Sequence, residues 1–143
     1  MTKNPILKVI ILISLISGAI MGLIALIPFL SFAVLCILMF IIAPFIIIYF
    51  NNLNLIEELN IEKGILYGGI SGFIAFIGFS ITFFPIAFII DLIFKTESFL
   101  WVSVIFKNFS FMLGMILFSA LLSAILNMFT GFLTTYIYQY FKK

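Results

Sequence analysis

Histidine and arginine are both absent, and only 8% of the 143 residues are charged. Without histidine the chain lacks the usual general base and the commonest metal ligand. Without arginine it cannot form the planar, two-pronged clamp that holds phosphate or carboxylate groups. Its seven basic residues are all lysines, and the formal charge is only +2. No basic run occurs beyond the terminal pair Lys142 and Lys143, so no nucleic-acid partner is expected. The single cysteine, Cys36, rules out an intramolecular disulfide. It lies in the middle of an apolar run, where a small buried hydrophobe is expected and a reactive thiolate is disfavoured.

These scarcities also bound the chemistry. Intramembrane serines such as Ser71 and Ser80 have no histidine or lysine within the spans to activate them. Glu58 and Glu62 share a helix face, but two carboxylates make a weak cation site and a solvated polar face is the better account. The sequence therefore implies no catalytic residues, no metal, no cofactor and no enzymatic activity.

Hydrocarbon is what the chain has in abundance. Two-thirds of it is hydrophobic (66%), whereas soluble domains carry about 25% charged residues. Such a composition cannot cover a water-facing surface, and a lipid bilayer is the expected surrounding. The apolar run from Val9 to Phe50 is 42 residues long. As one helix it would extend about 63 Å, twice the ~30 Å hydrocarbon thickness. It must fold back, and Pro28 marks the place. The expected architecture is all-α: a single domain over residues 1–143 with four transmembrane helices at about 6–27, 31–50, 64–90 and 109–140. Pro44 should kink the second span, the freed carbonyl being satisfied by neighbouring helices. The lysine-flanked start resembles a signal peptide, but the apolar stretch is too long and no A-x-A-like site follows, so an uncleaved first span is expected.

Two short segments interrupt the spans. Residues 51–63 hold three glutamates and read as an amphipathic surface helix or a polar loop, with Asn54 and Glu57 in a capping pattern. Residues 95–107 mix charge with Trp101 and read as interfacial. Four spans put both termini on one side, with Lys3, Lys8, Lys63, Lys142 and Lys143 there against Lys95 and Lys107 opposite. The positive-inside rule then assigns both termini to the cytoplasm, across an inner or plasma membrane. In the same topology Tyr49, Tyr67, Tyr136, Tyr138 and Tyr140 gather at one interface and Trp101 at the other.

Small residues supply packing seams. Ser14, Gly18 and Gly22 line one face of the first span, and Gly64, Gly68 and Gly72 line one face of the third. On the fourth span, Ser119, Ser123, Asn127, Thr130 and Thr134 form a polar stripe, expected to hydrogen-bond between helices or else to line a narrow path. Asn127 leads this group, its amide having four hydrogen-bonding positions to satisfy. Asp91 adjoins the third span, where it is either an interfacial charge paired with Lys95 or a proton- or cation-binding acid at the mouth of that path. Ile16-Ser-Gly-Ala-Ile20 echoes Ile70-Ser-Gly-Phe-Ile74, each followed by a proline, a pattern compatible with a duplicated helix pair.

Small multidrug exporters also have four helices and similar length. The chain resembles them in size only, since that family needs an embedded glutamate in its first span and residues 6–27 contain no acid. The leading expectation is a non-enzymatic assembly or accessory subunit, whose partners are the bilayer and either further copies of itself or another membrane protein. The alternative is a small transporter or channel element with its path along the fourth span. A membrane-embedded enzyme comes third.

Overall fold

The structure is a computed structural model and describes residues 5–53, 60–95 and 99–141. Among the described residues six helices follow in order: α1 (Pro5–Ile24), α2 (Pro28–Phe40), α3 (Ile42–Asn52), α4 (Ile61–Phe94), α5 (Leu100–Lys107) and α6 (Phe109–Phe141). Among the described residues there is no strand. Helices α1, α4 and α6 are each long and apolar enough to cross a bilayer. A fourth crossing exists if α2 and α3, bent by 55° at their junction, count as one broken span.

The first turn falls slightly earlier than the sequence implies. Helix α1 ends at Ile24 and tapers through tight i to i−3 bonds, Leu26 N–H to Leu23 C=O and Ile27 N–H to Ile24 C=O. Pro28 opens α2 and is no part of a break centred on it. Its missing N–H is no loss in a first turn, and its ring holds Ile27 in an extended conformation (φ −83°, ψ 109°). The Ser31 hydroxyl donates to the Ala25 carbonyl at 2.7 Å, tying the turn across its two helices.

The expected kink at Pro44 is a complete break, three residues upstream of the proline at Ile41. Pro44 cannot donate to Phe40, and its ring crowds that carbonyl. Backbone bonds flank the break: Ile41 N–H to Ile37 C=O at 2.9 Å, and Phe45 N–H to Ile41 C=O at 3.1 Å.

Helix α4 is longer than expected at both ends. It starts at Ile61, where the Asn60 side chain caps it by accepting the Lys63 N–H at 2.9 Å. The cap expected at Asn54 and Glu57 lies outside the described residues. Pro85 is accommodated inside α4, which runs on to Phe94. Pro28 and Pro85 thus do different things, one opening a helix and the other sitting within one, and the two halves do not repeat each other there. Lys95 ends α4 in the left-handed region (φ 48°), its N–H donating to the Asp91 carbonyl at 2.8 Å. Part of the interfacial segment 95–107 is helical, as α5.

Close backbone contacts fix the packing. A Cβ added at Gly18 would overlap the Ala75 backbone, and one at Gly22 would meet Phe79, so α1 runs parallel to α4. Gly64 packs against Thr135 and Gly131, and Gly68 against Asn127, so α6 runs antiparallel to α4. The beginning of α1 and the end of α6 therefore share one end of the bundle. Ser14, Gly18, Gly22, Gly64, Gly68 and Gly72 are all buried. Below the break, α3 packs against both α4 and α6; above it, α2 stays near α6 and makes little contact with α4. Cys36, expected to be buried, is exposed on the outer face of α2. That face has no covering helix, because α2 packs through Val34 and Leu38.

Candidate functional site

The most polar point of the interior is built around Asn127, which is fully buried. Its Oδ1 accepts the Ala43 N–H at 3.0 Å, and the two protons of its Nδ2 are shared among the carbonyls of Leu38 (2.8 Å), Met39 (3.1 Å) and, in its own helix, Ser123 (2.9 Å). In an unbroken helix Ala43 N–H would bond the Met39 carbonyl. The Asn127 amide stands between those two groups and bonds both, replacing the rung lost at the break. The Ser123 hydroxyl, also fully buried, shares its one proton between the Gly72 carbonyl at 3.1 Å and the Leu38 carbonyl at 3.3 Å. Gly72 makes this possible: a Cβ there would meet the Asn127 side chain at 2.6 Å. Three helical segments, α2, α3 and α4, are thus fastened to α6 at one level.

The remaining members of the α6 stripe behave differently. Thr130 donates to the Asn127 carbonyl at 3.3 Å and Thr134 to the Thr130 carbonyl at 2.7 Å, both within their own helix. Ser119 makes no hydrogen bond among the described residues and lines a cavity one turn beyond Ser123. The five residues share a face but do not form a continuous file. Thr135, outside the stripe, is fully buried with its hydroxyl unpartnered. The sequence offers a signal for it, since it lies four residues after Gly131 and faces Gly64.

Asp91 is far from this cluster, near the opposite end of α4. It is buried, at 7% exposure. Ser103 on α5 donates its hydroxyl to Oδ2, while Oδ1 has no partner. Among the described residues no ion pair joins Asp91 to Lys95, whose backbone is in the left-handed conformation at the end of the helix.

The cavity beyond Ser123 occupies about 390 Å³. Phe76, Phe79, Phe83 and Phe84 of α4 line one side, with Phe99 and Trp101 from the α5 region. The rings support one another: Phe79 and Phe83 stack with centroids 5.1 Å apart, and Phe83 and Trp101 stack at 6.2 Å. Leu35, Ser31 and Ser119 line it from α2 and α6, and among the described residues no charged side chain does. Its origin is the break at Ile41, which swings α2 away from α4. The Phe76, Phe79, Phe83 spacing was the available sequence signal, but helical aromatics of this kind ordinarily fill a core.

No protein family, curated protein or solved structure matches this chain. What it can do has to be read from its own geometry. Of the polar groups described above, Asn127, Ser123 and the Ser103–Asp91 pair join one helix to another. None of them forms a nucleophile with a base, and the Asp91 carboxylate is linked to a single hydroxyl.

Proposed function

We propose that this protein is a non-enzymatic integral membrane subunit that acts by binding other components of the bilayer. The observation that carries this reading is the employment of the interior polar groups. Asn127 and Ser123, the two stripe residues best placed to line a path, give their hydrogen bonds to the broken second span. A solute using that path would have to displace bonds that replace part of a backbone ladder. The outer faces of α1, α2 and α6 are apolar, with Leu12, Phe29, Phe32, Phe118 and Phe129 all exposed. In this reading the chain crosses the membrane four times, with α2 and α3 as one bent span. Both termini face the cytoplasm on the side of five lysines. Its partner is a further copy or another membrane protein. Mild solubilisation of native membranes, followed by affinity isolation of the chain at its natural abundance, tests this. A stoichiometric membrane-protein partner or a defined homo-oligomer is expected; a monomer that carries solute in reconstituted vesicles overturns it.

One observation favours a second reading, a small transporter or channel element. Asp91 is buried with an unpartnered oxygen, and buried acids in spans commonly serve ion or proton movement. This reading requires flux through vesicles that is lost in Asp91→Asn while the protein remains folded.

A further inference from the structure

We propose that the aromatic cavity between α2, α4, α5 and α6 is a binding site for one acyl chain of a bilayer lipid. The inference uses the membrane placement proposed above but does not depend on which protein partner the chain has.

The occupant follows by excluding the alternatives. Water needs 2–4 polar partners to be held in a protein interior. The Ser31 hydroxyl gives its proton to the Ala25 carbonyl and Ser119 is the other hydroxyl on the wall, so most of an otherwise aromatic and aliphatic lining offers water no partner. A helix from a second copy, about 10 Å across with its side chains, would have to pass the rim at Trp101 and Met115 to reach Phe76, Phe79, Phe83 and Phe99, which are buried. A charged ligand would meet no opposite charge among the described residues of the wall. A flexible saturated chain meets none of these objections. At roughly 30 Å³ per chain atom, taking the share of a water molecule as the measure, the space holds about a dozen atoms.

Shape and position agree with this occupant. Phe76 and Phe84 are about 12 Å apart along α4 at 1.5 Å per residue, so the aromatic wall is elongated along the helix axis. Trp101 (47% exposed) and Met115 (40% exposed) stand at its rim, while Phe76, Phe79, Phe83 and Phe99 are buried. A chain entering past Trp101 would lie along ring faces, gaining many weak dispersion contacts that an unfilled void forfeits.

The test uses the full-length protein in nanodiscs made with a phosphatidylcholine that carries a diazirine midway along one acyl chain. After irradiation, adducts are mapped by mass spectrometry. Adducts on the cavity wall, at Phe76, Phe79 or Met115, are expected beside those on the outward residues Phe118 and Leu121. Ser119→Phe fills the cavity with a ring and should abolish the wall adducts while leaving the outward ones. If that variant does not fold, Leu35→Phe fills the space from the facing wall. Ser119→Ala, which removes only the hydroxyl, should keep the wall adducts. Labelling confined to outward residues, wall adducts that survive the filling variants, or a co-purifying non-lipid molecule in the cavity would each overturn the assignment. None of these outcomes bears on the native partner, so failure here and failure of the subunit reading are separable.

Discussion

Replacing Asn127 with leucine should unfasten the second span. The side chain makes three bonds to α2 and α3, at 3.0, 2.8 and 3.1 Å. Interhelical hydrogen bonds in membrane proteins average about 0.6 kcal/mol and reach about 1.7, so their combined loss brackets the cost between ~2 and ~5 kcal/mol. The upper part of that range applies if the Ala43 N–H and Met39 carbonyl remain unpaired in a dry interior. They can pair with each other only if the span straightens, which Pro44 opposes. Removing the proline should therefore matter more in the Asn127→Leu background than alone. Pro44→Ala by itself is expected to shift stability by less than ~1 kcal/mol, because the Asn127 clamp still holds the bent form; in the double variant it should recover at least ~1 kcal/mol, since close neighbours sharing partners couple by 0.5–3 kcal/mol. Equilibrium unfolding in mixed micelles with a denaturing detergent, followed by the fluorescence of Trp101, measures all four corners of the cycle. Strict additivity, or an Asn127→Leu cost below ~0.5 kcal/mol, would refute the replaced-rung account.

Other perturbations follow from the same geometry. Gly68→Ala should destabilise the fold by ~1–3 kcal/mol, as its methyl meets the Asn127 backbone, whereas Gly114→Ala, with nothing within 4 Å, should stabilise it by up to ~1 kcal/mol; the same unfolding assay compares them. Ser103→Ala leaves both Asp91 oxygens unpartnered and should cost ~1–3 kcal/mol, a loss reduced when Asp91→Leu is added, as thermal melts of the single and double variants would record. Lys95→Gly relieves the left-handed end of α4 and should raise stability by about 1 kcal/mol. In a Cys36→Ser background, cysteines placed at Lys8 and Tyr140 should react with an impermeant maleimide from the same side of sealed vesicles, and one at Lys107 from the other.

Much of the bundle was legible before any coordinates. The long uncharged runs, Pro28 and the charged segments near 51–63 and 95–107 mark the apolar helices and roughly where three of them end, but not that the second span divides at Ile41. The small-residue spacing in α1 and α4 pointed to buried faces, because four-residue periodicity and side-chain size are both written in the chain. Which seam meets which was not, since GxxxG spacing carries no partner label; Gly18 meets Ala75 only because the two helices cross there. Pro44 announced a kink, but not its depth, which depends on an asparagine 84 residues away supplying what the ladder loses. Asp91 looked like a surface charge paired through i, i+4 spacing with Lys95. That pairing presumes a helix continuing through Lys95, and the left-handed cap removes the premise. The cavity was least legible of all, because a void arises from the angle between α2 and α4 and no local pattern encodes that angle.

The replaced rung also imposes an order on synthesis. At about 5–20 residues per second, a ribosome adds Asn127 roughly 4–17 s after Ala43. Throughout that interval the nascent second span has no permanent donor for its Leu38 and Met39 carbonyls and no acceptor for the Ala43 amide. It must wait beside water or beside the insertion machinery until α6 supplies them. A helix made much later is thus the one that completes the second span's hydrogen bonding.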